Sequence, residues 1–443
     1  MEAVRSTSFW QDDRGAGTLF GLLWFVLLVG ITGMAVDITD GLRNRTMLQA
    51  TADAAALAGA IDLPDQAAAV ATAVSYAADN MGAEINGSVL DPDDVLVGLW
   101  DPATQSLDTT SLTPDAVMVT VRRSAENANA VPVNFLRIIG LQTWNVIAQA
   151  VAQRFIPDCL RDGLIAREIV DMASTNNFVN QICIHGEQGV NLQRVNTFQS
   201  GVTVSMPSMS MLEVPADDID ANDGLPEALR ENYLDPRMVN HIDAIIQGVL
   251  DRDPAVVPWY INLEWEVEDV EARNFSAATA VPHRIYHVTC PPMRNLLLAA
   301  NTLIDKIVLI ADCKITIGAG STLTDSFIAS RSGGNPGPGD LNIGDANISS
   351  AGQVQIGKPD DCEDGGGVQL FSNATMHFSA LTNFDGVQLV AAGDIALGGN
   401  QYGINGISAQ SGGTIFLAGQ DNFGLCSDNV PDLFTVPYYR LVL

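Results

Sequence analysis

The sequence predicts an α+β protein. A long N-terminal helix able to span a membrane leads into a small α+β module. A β-rich C-terminal domain of the β-solenoid (parallel β-helix) kind follows. Three observations carry this expectation. Gly17 to Val36 is apolar and uncharged. Asp37 to Ala60 continues in Ala and Leu without a strong stop signal. Beyond Cys159, short apolar strands recur between Gly, Asn and Asp turns. The boundaries read as 1–60 for the anchor and long helix, 61–156 for the module, and 157–443 for the β-rich domain, with an insertion at about 206–290. A chain of 443 residues is long enough for two or three such domains.

The apolar run is the strongest physical signal. Twenty helical residues reach ~30 Å, the thickness of a bilayer core. Gly17, Leu19, Phe20, Leu22, Leu23, Trp24, Phe25, Val26, Leu27, Leu28, Val29 and Ile31 would form the anchor. A core helix of a soluble protein seldom stays uncharged for so long. A cleaved signal peptide would have an apolar region of only ~7–15 residues, although Gly33 and Ala35 form a small-x-small pair that could be cut. Arg5 and Arg14 precede the run and Arg43 and Arg45 follow it, so the positive-inside rule gives no orientation.

Past the run, Leu48, Ala52, Ala55 and Gly59 fall on one helical face, while Gly41 weakens the helix. Pro64 opens a second Ala-rich helix, Asp65 to Asn80. In the module, Asp94–Asp101 and Ala116–Arg123 alternate partly apolar with polar, as half-buried strands do. Asn145–Phe155 is a third strand, and Asn134–Ile139 suits a short helix. In the β-rich domain, strand starts fall about 8–11 residues apart between Val368 and Ile415. That suits stacked three-strand coils, although a β-sandwich would give similar spacing. An amphipathic helix near Met238–Leu250 lies within the insertion.

A formal charge of −30 argues against nucleic acid as a partner. The six cysteines, Cys159, Cys183, Cys290, Cys313, Cys362 and Cys426, all follow the apolar run. Disulfides are their natural use if this part is exported, and that breaks the orientation tie in favour of an extracytoplasmic C-terminal part. Six cysteines allow fifteen connectivities. Pairing neighbours in sequence gives Cys159–Cys183, Cys290–Cys313 and Cys362–Cys426.

Two weak metal constellations stand out. His283, His287 and Cys290 have zinc-compatible spacing, and a strand through RIYHVT would put both histidines on one face, but no fourth ligand is evident. Asp360, Asp361, Glu363 and Asp364 cluster beside three glycines without the spacing of a calcium loop, and read as a solvated acidic turn. No cofactor is implied. Parallel β-helices can host carbohydrate-active enzymes, but Lys306, Lys314 and Lys358 are the domain's only lysines and no catalytic motif appears.

Two stretches carry a family resemblance. Arg14 to Ala60 reads RGA, an apolar run, AVDITDGLRNR, then LQATADAAALAGA, and Val131 to Ala152 reads VPVNFLRIIGLQTWNVIAQAVA. This third of the chain resembles TadG-type proteins of the Tad (tight adherence) pilus machinery. The resemblance implies a non-enzymatic assembly protein, single-pass in the bacterial inner membrane, with its bulk periplasmic or extracellular. Its partners would be pilins, the inner-membrane platform and possible further copies; by fold analogy alone, the module is close to a pilin-like head on a helical stalk. Unlike a prepilin, the chain has Phe20 and Leu22, not Glu, five residues after Gly15 and Gly17. Pilin-type processing is therefore not expected, and a retained anchor is. A pilus-tip adhesin and a membrane-tethered β-helix enzyme are the competing expectations.

Overall fold

The computed structural model describes residues 16–443 except 161–162, 180, 216–218, 292–294, 332–340, 346–352, 361–362, 379–380, 399–402, 420–421, 425 and 427–432. Two compact units result: one runs to Phe155 and also takes Pro437–Leu443, and the other is Ile156–Val436.

Unbroken Ala- and Leu-rich sequence makes one helix of the first segment, α1 (Ala16–Ile61). A tight turn leads to α2 (Gln66–Asn80). Asp65 caps it, accepting the backbone N–H of Ala67 and Ala68 at 3.0 Å each, so two donors that the first turn would otherwise leave unsatisfied are paired. The strands are β1 (Val95–Asp101), β2 (Ser106–Asp108), β3 (Ala116–Arg123), β4 (Val131–Pro132), β5 (Thr143–Trp144) and β6 (Val146–Phe155). One antiparallel sheet has the order β2, β1, β3, β6, then the C-terminal strand Tyr438–Leu441. The core joins Leu48, Ala52, Ala55, Ala56 and Ala60 of α1 to Ala69, Ala73 and Ala77 of α2 and to Val117, Val119 and Val121 of β3. Alanine on both helices lets their backbones approach closely. The alternating valines of β3 add about 1.5–3 kcal/mol each on burial.

The sequence reading runs the β-rich domain to residue 443. The structure instead places the last residues in the first unit, because Tyr438 to Leu441 pair antiparallel with Phe155 to Ala152. Residues 156–436 are thus inserted between two adjacent strands of one sheet. Nothing in YYRL announces which strand it will join, because such pairing is a long-range choice.

Among the described residues every strand ladder of the second unit is parallel, for example those at Cys183, Gly189, Leu303 and Phe384. Cys183 pairs with Gly163 on one side and Thr203 on the other, a step of 20 residues each way. Ile395 pairs with Ile415 at the same step. Like side chains therefore stack on like: Val204, Ile184, Leu164, Ala409, Leu389 and Leu370 follow one another in a single inward row.

The order of strands does not follow the chain. The first strand, Gly163–Ala166, lies between Cys183–Gly186 and Ile404–Ser411. From there the chain winds outward to Leu229–Glu231, at one edge of the sheet. It reappears at Glu268–Glu271 on the opposite edge and winds back to the middle. The connecting segment carries the helix Ile242–Leu250. Its Ile242, Ile245, Ile246 and Val249 pack on Val308, Ile310, Phe327, Ala329, Phe371 and Val390. That helix explains the apolar run Ile307–Ala311, which is buried on every residue: these strands are covered on both faces.

Cys159 is bonded to Cys183, and Cys290 to Cys313. Spanning 24 and 23 residues, each is worth about 3 kcal/mol by restricting the unfolded chain. Cys426 is also disulfide-bonded, while Cys362 lies outside the described residues.

His185 is buried in this stack. Its Nδ1 accepts from the Ser205 hydroxyl at 2.8 Å and its Nε2–H donates to Glu187 at 3.1 Å, roles assigned from the network. Burial pushes its pKa below the ordinary 6.5, against the smaller opposing pull of Glu187. A histidine depressed in the folded state stays neutral while the unfolded one takes up a proton. Stability is then held above pH 6.5 and lost as pH falls from there towards the folded value. The melting temperature of His185→Gln is expected to fall less between about pH 7.5 and about pH 5.5 than that of the parent. Equal falls would show that His185 does not contribute.

Candidate functional site

The residues with most of their apolar surface uncovered lie on the first half of α1. Leu19 is 71 % exposed and Phe25 63 %, and Phe20, Leu22, Leu23, Trp24, Val26, Leu27, Leu28, Val29 and Ile31 are exposed as well. They point to every side of the helix, so this half has no core-facing stripe of the kind that Leu48, Ala52 and Ala55 give the second half. α1 is long and apolar enough to cross a membrane by length and composition.

Where the apolar half ends, a clasp holds the helix. Gly33, Asp37 and Gly41 follow one another at four-residue spacing and so share a face. β4 and β5 form a hairpin arm, Val131 opposite Trp144, whose far end is a single helical turn, Leu136–Ile139. The Phe135 ring lies over Gly33, where an added Cβ would meet it at 2.7 Å, and the Trp144 ring lies over Gly41. Between them the buried Asp37 carboxylate accepts three backbone N–H groups: Asn134 at 2.9 Å, Phe135 at 2.8 Å and Leu136 at 2.7 Å. Each of the three α1 positions thus has a reason: two must lack a side chain, and one must be an acceptor at the start of a helical turn. The sequence reading marks Gly41 as a weak point of the helix and misses this purpose. The four-residue spacing of Gly, Asp and Gly was the available signal.

The candidate metal ligands are not brought together. His283 precedes its strand, Arg284–Thr289, in a left-handed conformation (φ 68°), and its Nδ1 lies 2.6 Å from the Tyr260 carbonyl oxygen. His287 sits within the strand, between Asp269 at 2.7 Å and Asp312 at 3.1 Å. His283 thus lies just outside the strand that holds His287, and Cys290 is bonded to Cys313. Asp360 pairs with Lys358 at 2.6 Å, which raises the Lys358 pKa, while Asp361 lies outside the described residues. Among the described residues no group of three or more His, Cys, Asp or Glu is arranged to hold a metal ion.

An apolar helix left bare along half its length, and clasped to an α+β module at the boundary, is the architecture of a helix-anchored protein. Residues 15–62 match the Flp pilus-assembly TadE/G-like family, and residues 48–152 the Tad-like Flp pilus-assembly family. Residues 163–427, more than half of the chain, match the family described as a domain of unknown function (DUF7867). The chain belongs to the DUF7867 family, and its N-terminal part is that of a TadG-like component of Tad Flp pilus assembly. No curated protein and no solved structure gives a match. The first pilus-assembly match covers α1 and the second closes at β6, so the clasp lies wholly within them.

Proposed function

We propose that this chain is a non-enzymatic structural and assembly protein of a Tad-type pilus. α1 crosses the bacterial inner membrane once, between Gly17 and Val36. The parallel-sheet unit is a β-solenoid of ~20-residue coils, placed outside the cytoplasm, where it contacts pilus or envelope partners. The carrying observation is the all-round exposure of the apolar residues from Leu19 to Ile31, in a chain whose first third matches pilus-assembly families. Water would penalise so large an uncovered apolar surface, and a bilayer removes the penalty. The bonded cysteines suit an oxidising compartment.

The test is fractionation of cells with and without Phe25→Arg plus Leu28→Arg. Each arginine near the middle of a span costs about 2.5–3.5 kcal/mol. The parent should resist alkaline extraction from membranes, and its cysteines should take up a thiol label only after reduction. The double variant should shift to the soluble or degraded fraction. A parent found soluble, with thiols that label directly, refutes the proposal.

A further inference from the structure

We propose that the tip of the hairpin arm, Phe135–Leu141, is a second membrane contact. It would lie in the headgroup and upper acyl region of the bilayer beside α1, with Ile138 and Ile139 inserted among the lipids. This rests on the reading that α1 crosses the membrane, and adds to it a site outside the helix.

Position comes first. Gly33, under Phe135, lies three residues inside the end of the uncharged run at Val36. At about 1.5 Å of rise per residue, that is ~5 Å within the apolar layer. The arm therefore meets the helix at the depth where hydrocarbon gives way to headgroups. Trp144, over Gly41, sits two turns further out, where amphipathic rings concentrate.

Surface chemistry comes second. Ile138 is 83 % exposed and Ile139 76 %, with Phe135 and Leu141 also exposed. The patch meets α1 through Phe135, whose ring lies over Gly33.

Backbone satisfaction comes third, and it separates a lipid-facing loop from an ordinary one. Lipid cannot hydrate a peptide group, so a loop that enters it must pair its donors internally. Asp37 accepts from Asn134, Phe135 and Leu136. Ile138 donates to the Phe135 carbonyl, Gly140 to that of Arg137, and Leu141 to that of Leu136. Gly140 permits the closing turn through its left-handed conformation (φ 99°). Arg137 is the tip's one charged residue, and its long side chain can reach phosphate while its stem stays in the apolar layer.

The test uses the full chain, native disulfides intact, in vesicles of phosphatidylethanolamine and phosphatidylglycerol. An environment-sensitive fluorophore is attached at Ile138→Cys, or at Ile139→Cys as an independent position, and at Phe25→Cys as a mid-span control. The expected result is blue-shifted emission at both arm positions, quenched by lipids spin-labelled near the headgroup and little affected by aqueous iodide. Phe25→Cys should be quenched by lipids spin-labelled deeper in the chain. Iodide quenching at 138 and 139 with lipid quenching retained at 25 overturns the arm proposal alone. Protection of 138 and 139 from both quenchers also overturns it, in favour of a protein partner such as a second copy. Failure of lipid quenching at 25 overturns the anchor reading itself.

Discussion

Phe178→Ala is expected to lower the stability of the second unit by about 3–5 kcal/mol. The Phe178 ring is fully buried, stacked 5.2 Å from Phe198 and 4.9 Å from Phe423. Its strand pairs with Thr197–Phe198 on one side and with Asn422–Phe423 on the other. The ring therefore lies on the seam where early strands of the second unit meet late ones, some 245 residues away in sequence. Truncation removes a transfer contribution and leaves a cavity that two neighbouring rings cannot close without losing their own stacking. Urea unfolding of the detergent-held protein, followed by near-ultraviolet circular dichroism, measures it. Phe416→Ala, at a site 39 % exposed, is the control and should cost much less. Equal costs at the two sites would show that the seam is not a closely packed contact.

The second large effect is expected at Asn196. Asn176, Asn196 and Asn222 are all buried and form a ladder. Asn196 Oδ1 accepts the Asn176 backbone N–H at 2.8 Å and its Nδ2–H at 3.0 Å. Asn222 Oδ1 accepts the Asn196 backbone N–H at 2.8 Å, and Asn196 Nδ2–H donates to the Arg194 carbonyl at 2.7 Å. Asn196→Ala strips the buried Asn176 backbone N–H of this acceptor, takes one of two acceptors from Asn176 Nδ2, which also donates to the Ser174 carbonyl at 3.0 Å, and takes a donor from the Arg194 carbonyl. At about 1–3 kcal/mol for each buried polar group left unmade, the loss should be about 3 kcal/mol. The same unfolding measurement checks it against Asn177→Ala. The Asn177 side chain bonds Asn422 at 3.2 Å near solvent, where water replaces the lost partner. Should Asn196→Ala prove as mild as Asn177→Ala, the ladder does not hold the turns.

Much of this was legible in the sequence because it depends on neighbours along the chain. The helix face of Leu48, Ala52 and Ala55 follows from 3.6-residue periodicity, and these residues are buried. The second helix, read as Asp65 to Asn80 after Pro64, runs Gln66–Asn80, with Asp65 just outside it as the cap. Strands at Ala116–Arg123 and Arg284–Thr289 follow from β-branched and aromatic content between turn residues. The clasp was half legible. The resemblance singled out both α1 and Val131–Ala152, but nothing in either stretch states that Asp37 accepts the amides of residues 134–136, a contact across 97 to 99 residues.

By itself the sequence determined the two N-terminal helices, strands such as Ala116–Arg123 and Arg284–Thr289, and that one segment is too apolar to be left in water. These are local properties, written in the order of side chains over a few turns. Only the tertiary structure decided that Gly163–Ala166 would lie between Cys183–Gly186 and Ile404–Ser411, that the helix Ile242–Leu250 would cover the outside of a sheet, and that Tyr438–Leu441 would return to β6. Parallel strands of similar length with similar apolar rows can pair in many orders, and which order wins depends on burial and hydrogen bonding summed over pairs hundreds of residues apart.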